Sequence, residues 1–217
     1  MNITILIYDQ FTALDAIGPY EVLCRIPGAN IQFVGKERGL VPTDTNMLNI
    51  SADYRMDDIT ETDILLIPGG LEGTYAAAKD GDILAWVQAL HTKTQWTTSV
   101  CTGSLILGAA GILQGLEVTT HWGAREQLAD YGATYVAQRF VQQDKIVTAA
   151  GVSAGIDMAL WLVGKIMGTQ IAESIQLGIE YDPQPPYDCG SYEKAPSALR
   201  DAMENALRPR LANDGGS

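Results

Sequence analysis

The chain has 217 residues, 47% of them hydrophobic, and a formal net charge of -12. Such a length supports one generous core without a second domain, and 14 basic against 26 acidic residues exclude a nucleic-acid partner, which requires a concentrated basic surface. Cys24, Cys101 and Cys189 are too far apart for a C-x-x-C pair or a disulfide framework, which points to a reducing cytoplasm.

Asn2 to Tyr8 is nearly continuously apolar and rich in β-branched residues, the pattern of a strand buried on both faces of a parallel sheet. The run ends at Asp9, too soon for a signal peptide. Asp9 to Asp15 reads as a loop and Gly18-Pro19 as the start of a helix, Pro19 standing where no amide is needed. Asp15 thus lies past the carboxyl end of the first strand. As a bare position it is either a loop or capping aspartate or, between Leu14, Ala16 and Ile17, a carboxylate drawn inward. Ile31 to Gly35 alternates as a second strand, and Leu40 to Ile50, broken by Pro42 and Asn46, reads as a hairpin-like excursion. The acidic stretch from Asp53 to Asp63 reads as a solvated face and connection.

Asp63 to Ile67 is a third buried-strand pattern and ends in Pro68-Gly69-Gly70. Glycines at such a place make a tight turn or let backbone amides approach a ligand or oxyanion. Apolar residues at helical spacing in Asp80 to Thr92 predict a helix with one face on the sheet, and His91 falls near its end. A strand at Gln95 to Val100 then runs into Cys101 and a helix of small and aliphatic residues. Ser99-x-Cys101-x-Gly103 is the outline of a nucleophile elbow, in which small residues two before and two after the nucleophile allow a sharp strand-to-helix turn. Cys101 beside the first amides of a helix would have a lowered thiol pKa; a buried core cysteine is the other reading. Thr94 to Leu116 is uncharged, but its Thr, Ser, Gln and Gly residues argue against a membrane span.

Leu116 to His121 reads as a short strand, Trp122 to Tyr131 as a helix closed by Gly132, and Thr134 to Val136 as another short strand. A last parallel strand is expected within Asp144 to Gly151. A deeply buried helix runs from Ser153 to about Met167, and a further one from Gln170 to Ile179. A Pro-rich segment from Tyr181 leads to a polar helix at Ser197 to Leu211 and a disordered end at Asn213 to Ser217. These elements predict one α/β domain over residues 1–190, with a mostly parallel central sheet flanked by helices on both faces, and a tail over 191–217. Asp15, Gly70 and Cys101 all fall past the carboxyl ends of buried strands, the edge where open α/β sheets bind ligands. With His91 and His121 as the only histidines, neither beside a histidine or cysteine partner, no metal site is expected.

The order strand-loop-Asp, strand-Pro-Gly-Gly and strand-Cys elbow resembles the ThiJ/PfpI superfamily of glutamine-amidotransferase-like, flavodoxin-like sandwiches. Carrying the resemblance are Leu14-Asp15-x-x-Gly18-Pro19, Pro68-Gly69-Gly70, Thr98 to Ser104, Leu107 to Gly111, Thr119 to Trp122, Ala154 to Asp157 and Gln176 to Gly178. Within the superfamily, Cys-Thr-Gly-Ser together with a carboxylate at position 15 is similar to the branch that hydrates isocyanides. The resemblance implies a nucleophile at Cys101, an acidic partner at Asp15 and an assisting hydroxyl at Thr102. It further implies no cofactor, a small-molecule isocyanide substrate and a homodimer. Peptidase-like members carry histidine immediately after the nucleophile, where Thr102 stands, which disfavours Cys-His hydrolysis of peptide bonds. The redox-sensing branch has glutamate where Asp15 stands.

On these residues the amides of Gly70 and Thr102 are candidate oxyanion donors. His121 is near the nucleophile in several superfamily members, and Trp122 either walls a pocket or packs. Two other readings remain: a cysteine-based redox sensor and an aldehyde-handling hydrolase or lyase. A DNA-binding regulator is disfavoured, since about twenty residues after the Pro-rich segment are too few for a helix-turn-helix domain.

Overall fold

The structure, a computed structural model, describes residues 1–212, with side chains as far as Leu207; the disorder expected at Asn213 to Ser217 lies outside the described residues. In chain order the elements are β1 (Asn2–Leu6), α1 (Ala13–Leu23), β2 (Asn30–Gly35), β3 (Gly39–Pro42), β4 (Asn49–Ala52), β5 (Tyr54–Arg55), β6 (Ile64–Ile67), α2 (Leu71–Ala77), α3 (Gly81–His91), β7 (Trp96–Val100) and α4 (Gly103–Ala109). There follow β8 (Glu117–Val118), β9 (Thr134–Tyr135), β10 (Phe140–Gln143), β11 (Ile146–Ala149), α5 (Ala154–Met167), α6 (Thr169–Gly178) and α7 (Ser197–Ala212).

Seven strands form the central sheet in the order β10-β11-β7-β6-β1-β2-β5. All its pairings are parallel except β10 with β11. Four of the five inner strands, β11, β7, β6 and β1, come from the runs that read as buried strands, and nearly every residue in them is buried. A parallel sheet covered on both faces by its crossover helices needs such continuous runs. The helices fall into two sets, α1 against α5, and α4 against α2 and α3. Among the described residues no helix is long and apolar enough to cross a membrane.

Of the buried polar side chains of β7, Thr97 and Thr98 have partners, whereas Ser99 Oγ has none. The Thr98 hydroxyl donates to the Leu65 carbonyl at 3.0 Å, and Thr97 Oγ1 lies 2.9 Å from His91 Nδ1. His91, expected from sequence near the end of its helix, closes α3 and reaches back to the sheet. The Lys145 ammonium donates to the His91 carbonyl at that helix end, where cationic groups are favourable.

Several boundaries differ from the sequence reading. Helix α1 begins at Ala13, so Asp15 is in its first turn and Pro19 sits inside it. Trp122 to Tyr131 is two 3-10 turns, Trp122–Ala124 and Glu126–Tyr131. Within the acidic stretch, β5 extends the sheet edge and Met56 and Ile59 are buried, so it is more than a solvated connection. Helix α2 follows directly on the Pro-Gly-Gly turn and has only a buried face of small residues, Gly73, Thr74 and Ala77, which leaves little hydrophobic periodicity to detect.

Candidate active site

The elbow forms where β7 meets α4. Cys101 has φ 56°, a left-handed conformation that costs a side-chain-bearing residue of order 1–3 kcal/mol. Tertiary bonds hold it there. The Cys101 amide donates to the carbonyls of Ala149 and Ala150, both at 3.1 Å, and the Cys101 carbonyl accepts from the Thr120 hydroxyl at 3.0 Å. Gly103 is required by close approach, since a Cβ there would lie 2.2 Å from the Ile67 carbonyl oxygen.

Asp15 reaches the same point from the other side of the sheet edge. Helix α1 lies close on α5 because Gly18 and Gly155 are in the contact. A Cβ at Gly155 would come within 2.9 Å of both Pro19 Cγ and Val100 Cγ2. The Asp15 side chain is thereby sealed from solvent. Its Oδ2 accepts from the Gly69 amide at 2.9 Å. Its Oδ1 has no partner of ordinary hydrogen-bond geometry, and the carboxyl interacts with the Cys101 thiol.

Burial dominates the protonation of this pair. It raises the Asp15 carboxyl to about 8, against the pull of the Gly69 amide and the Cys101 contact. It also pushes the Cys101 thiol well above the ordinary thiol value, with the Asp15 charge acting in the same direction and the amides of Val152 and Thr102 opposing. The lowered thiol pKa expected from the elbow is therefore reversed. Helix α4 is only seven residues long, and the cysteine is 6% exposed, so desolvation outweighs the dipole.

Thr102 and Gly70 are engaged with each other. The Gly70 amide donates to Thr102 Oγ1 at 3.0 Å, and the Thr102 hydroxyl donates to the Gly70 carbonyl at 3.0 Å. Thr74 Oγ1 lies 2.8 Å from Thr102 Oγ1 and 3.0 Å from the Tyr8 phenol, which itself donates to the Pro68 carbonyl. With the Tyr8 and Thr102 protons on carbonyls, the single Thr74 proton is shared between the two contacts and bonds one of those oxygens at a time. This network clamps the Pro-Gly-Gly turn to the elbow. Gly69 lies between its two sides, where a Cβ would be 2.6 Å from Thr102 N and 2.8 Å from Asp15 Oδ2. The Gly70 amide, a candidate oxyanion donor from sequence, is occupied by the Thr102 hydroxyl, whereas the Thr102 amide faces the sulfur.

Sequence reasoning did not single out Tyr8, Thr74 or Val152. Tyr8 stands at the polar end of the first apolar run, and Val152, with φ 26°, follows the last parallel strand at the ligand-binding edge. Those placements were the available signals.

Beside the elbow lies a cavity of about 520 Å³ whose lining includes Leu14, Thr120, His121 and Val152. Asp15 and Cys101 do not themselves line it; Leu14 precedes Asp15, the Thr120 hydroxyl donates to the Cys101 carbonyl and the Val152 amide faces the sulfur. The His121 ring is kept neutral by burial, which lowers its pKa. Its Nδ1 accepts from the Gly123 amide at 3.1 Å, so the ring proton is on Nε2. The Trp122 ring packs on His121 with centroids 5.1 Å apart and lines the cavity wall. A second cavity, about 400 Å³, lies between β3 and α2 and touches Tyr8 from behind; Asp15 and Cys101 do not line it.

The DJ-1/PfpI family pattern matches residues 1–165. The isonitrile hydratase of Pseudomonas putida is 38% identical over 212 residues, which cover 97% of this chain and 92% of that protein. A crystal structure of a ThiJ/PfpI family protein from Pseudomonas syringae superposes with a TM-score of 0.93 at 37% identity, covering 99% of this chain and 90% of the other. Schizosaccharomyces pombe DJ-1, at 20% identity and a TM-score of 0.73 over 84% of this chain and all of its own, shares the fold.

Proposed function

The chain belongs to the DJ-1/PfpI family, and from that premise we propose that it is an isonitrile hydratase, an enzyme adding water to an isocyanide to give an N-substituted formamide. The observation that carries this reading is the buried carboxyl of Asp15, which keeps its proton to about pH 8 beside the Cys101 thiol. The 38% identity to a hydratase over nearly the whole of both chains supports it.

An isocyanide, R-N≡C, takes a nucleophile and a proton on the same terminal carbon. Cys101 sulfur bonds to that carbon while Asp15 delivers its proton there and receives the proton leaving the thiol. The amides of Thr102 and Val152 stabilise negative charge as it gathers on sulfur. The product is a thioimidate, R-N=CH-S-Cys101. Water then adds to its carbon with a proton going to nitrogen, and the C–S bond breaks. R-NH-CHO leaves and the proton returns to sulfur. The Thr102 hydroxyl acts indirectly, holding the turn whose Gly69 amide aims Asp15. His121 and Trp122 shape the cavity beside the reacting carbon, where His121 offers only an Nε2 proton. The burial that raises the Cys101 thiol disfavours the redox-sensor alternative, because thiolate is the form that oxidises readily.

The test is incubation of the purified protein with aliphatic and cyclic isocyanides, following formamide by mass spectrometry. Turnover abolished by Cys101→Ala is expected; no turnover with either substrate type sinks the assignment. The same reading has the enzyme in the cytoplasm, where Cys24, Cys101 and Cys189 stay free, and as a homodimer, which sedimentation measures directly.

A further inference from the structure

The family pattern ends at residue 165, yet the cavity beside the elbow is completed by residues beyond it. Gly190 to Glu193 line it together with Val152 and His121. The aromatic member of that segment is held by groups distant in sequence. The Tyr192 phenol donates to Glu204 Oε1 of α7 at 2.7 Å, and the same oxygen accepts from Arg125 Nη2 at 2.9 Å. The Arg125 guanidinium lies 4.4 Å from the Tyr192 ring centroid, and its Nη1 donates to the Trp122 carbonyl at 2.8 Å. The Tyr192 ring also packs on Trp122 at 5.4 Å. His121, Trp122 and Tyr192 thus form one continuous stack along the cavity lining.

A tyrosine whose only task was to dock α7 would not need to line the cavity. Here the ring forms cavity wall while its hydroxyl is latched from behind, so its position is set by Arg125 and Glu204 rather than by whatever fills the cavity. It lies outside the groups that meet the reacting carbon. We propose that Tyr192, fixed by Glu204 and Arg125, is the specificity-determining wall of the site and limits the bulk of the organic substituent that the cavity admits. The proposal rests on the reading that this cavity receives the substituent of the substrate. It assigns a specificity role to a segment that sequence treats as a tail.

Two measurements on Tyr192→Ala, Tyr192→Phe and Glu204→Gln test it. In the first, kcat/KM is compared for a compact and a bulky isocyanide. Tyr192→Ala is expected to raise the bulky-to-compact ratio at least about five-fold, through a lower KM for the bulky substrate. Glu204→Gln and Tyr192→Phe shift it less and in the same direction. The second needs no turnover: Cys101 labelling by iodoacetamide is compared with labelling by a bulky N-aryl iodoacetamide, read at the Cys101 peptide by mass spectrometry. Tyr192→Ala is expected to relax the preference for the small reagent. If the wild type hydrates no isocyanide, the functional reading fails while the labelling ratio still decides the wall. An unchanged labelling ratio, or equal losses on both substrates alongside a lower melting temperature, overturns the proposal and leaves Tyr192 a structural latch.

Discussion

Replacing Asp15 by asparagine should move stability and activity in opposite directions. Asparagine preserves the shape and the acceptor for the Gly69 amide but cannot ionise or release a proton. In the folded protein the Asp15 carboxyl titrates near 8 instead of 3.8 because it is buried. A raised carboxyl pKa means that the native state binds more protons than the unfolded state between those values. The stability associated with the neutral carboxyl is therefore complete below the unfolded value and is lost as pH rises toward the folded one. At about 1.4 kcal/mol per pKa unit, the loss between roughly pH 5 and pH 8 comes to about 3 to 4 kcal/mol. For a chain of this size that is roughly 10 °C in melting temperature. The lowered pKa values of His91 and His121 act in the opposite sense over part of this range but are common to both proteins, so the difference isolates position 15. Differential scanning fluorimetry across that range should show the variant gaining on the wild type as pH rises, while isocyanide turnover is lost at every pH. A gap independent of pH would mean that Asp15 is ionised throughout, and it would remove the proton donor from the mechanism.

Thr102→Val keeps the side-chain shape but leaves the Gly70 amide and the Thr74 hydroxyl without their Thr102 partner. A cost of about 1 to 3 kcal/mol in urea unfolding is expected, with a lower kcat that Thr102→Ser restores. Gly69→Ala places a methyl 2.6 Å from Thr102 N and 2.8 Å from Asp15 Oδ2, so the carboxyl must move. A fall of about 100-fold in kcat/KM is expected from misplacement on the scale of an ångström; steady-state kinetics with a folded variant, verified by circular dichroism, would detect it.

Strands β1 and β6 were legible because a parallel strand covered on both faces favours a nearly continuous apolar run, and β6 is apolar throughout while β1 is broken only by Asn2 and Thr4. The elbow was legible because its turn needs a residue without a side chain at Gly103. Helix α1 was misplaced at its start because Gly18-Pro19 carries the usual signs of a helix boundary. In the fold those residues serve a different end, letting α1 and Val100 close on Gly155. The thiol pKa was misjudged because a local motif reports the dipole and not the depth of burial. Tyr8, Thr74 and Val152 belong to three separate segments, and only the crossovers of the sheet bring them to one edge. The Arg125–Tyr192–Glu204 latch is likewise a product of tertiary packing.

The charge state of the site ties the chemistry to the fold. Burial raises the pKa of Asp15 and Cys101 and lowers that of His121, so near neutral pH all three are uncharged. A site for peptide hydrolysis would need the reverse, a thiolate beside an imidazolium, and the place that would supply the imidazole holds Thr102. An acid that titrates near 8 is too weak to protonate an isocyanide carbon unaided. As sulfur adds, however, that carbon acquires carbanion character and becomes strongly basic, and a weak acid held in place then suffices. The same low dielectric that weakens the acid also penalises separated charges, which favours passing the thiol proton through Asp15 in step with the attack. An uncharged apolar substrate gives up little hydration on entering such a cavity, whereas a charged one would lose its hydration without a counter-ion in the pair to replace it. In the proposed mechanism the burial of Asp15 both keeps the proton available and filters the substrate.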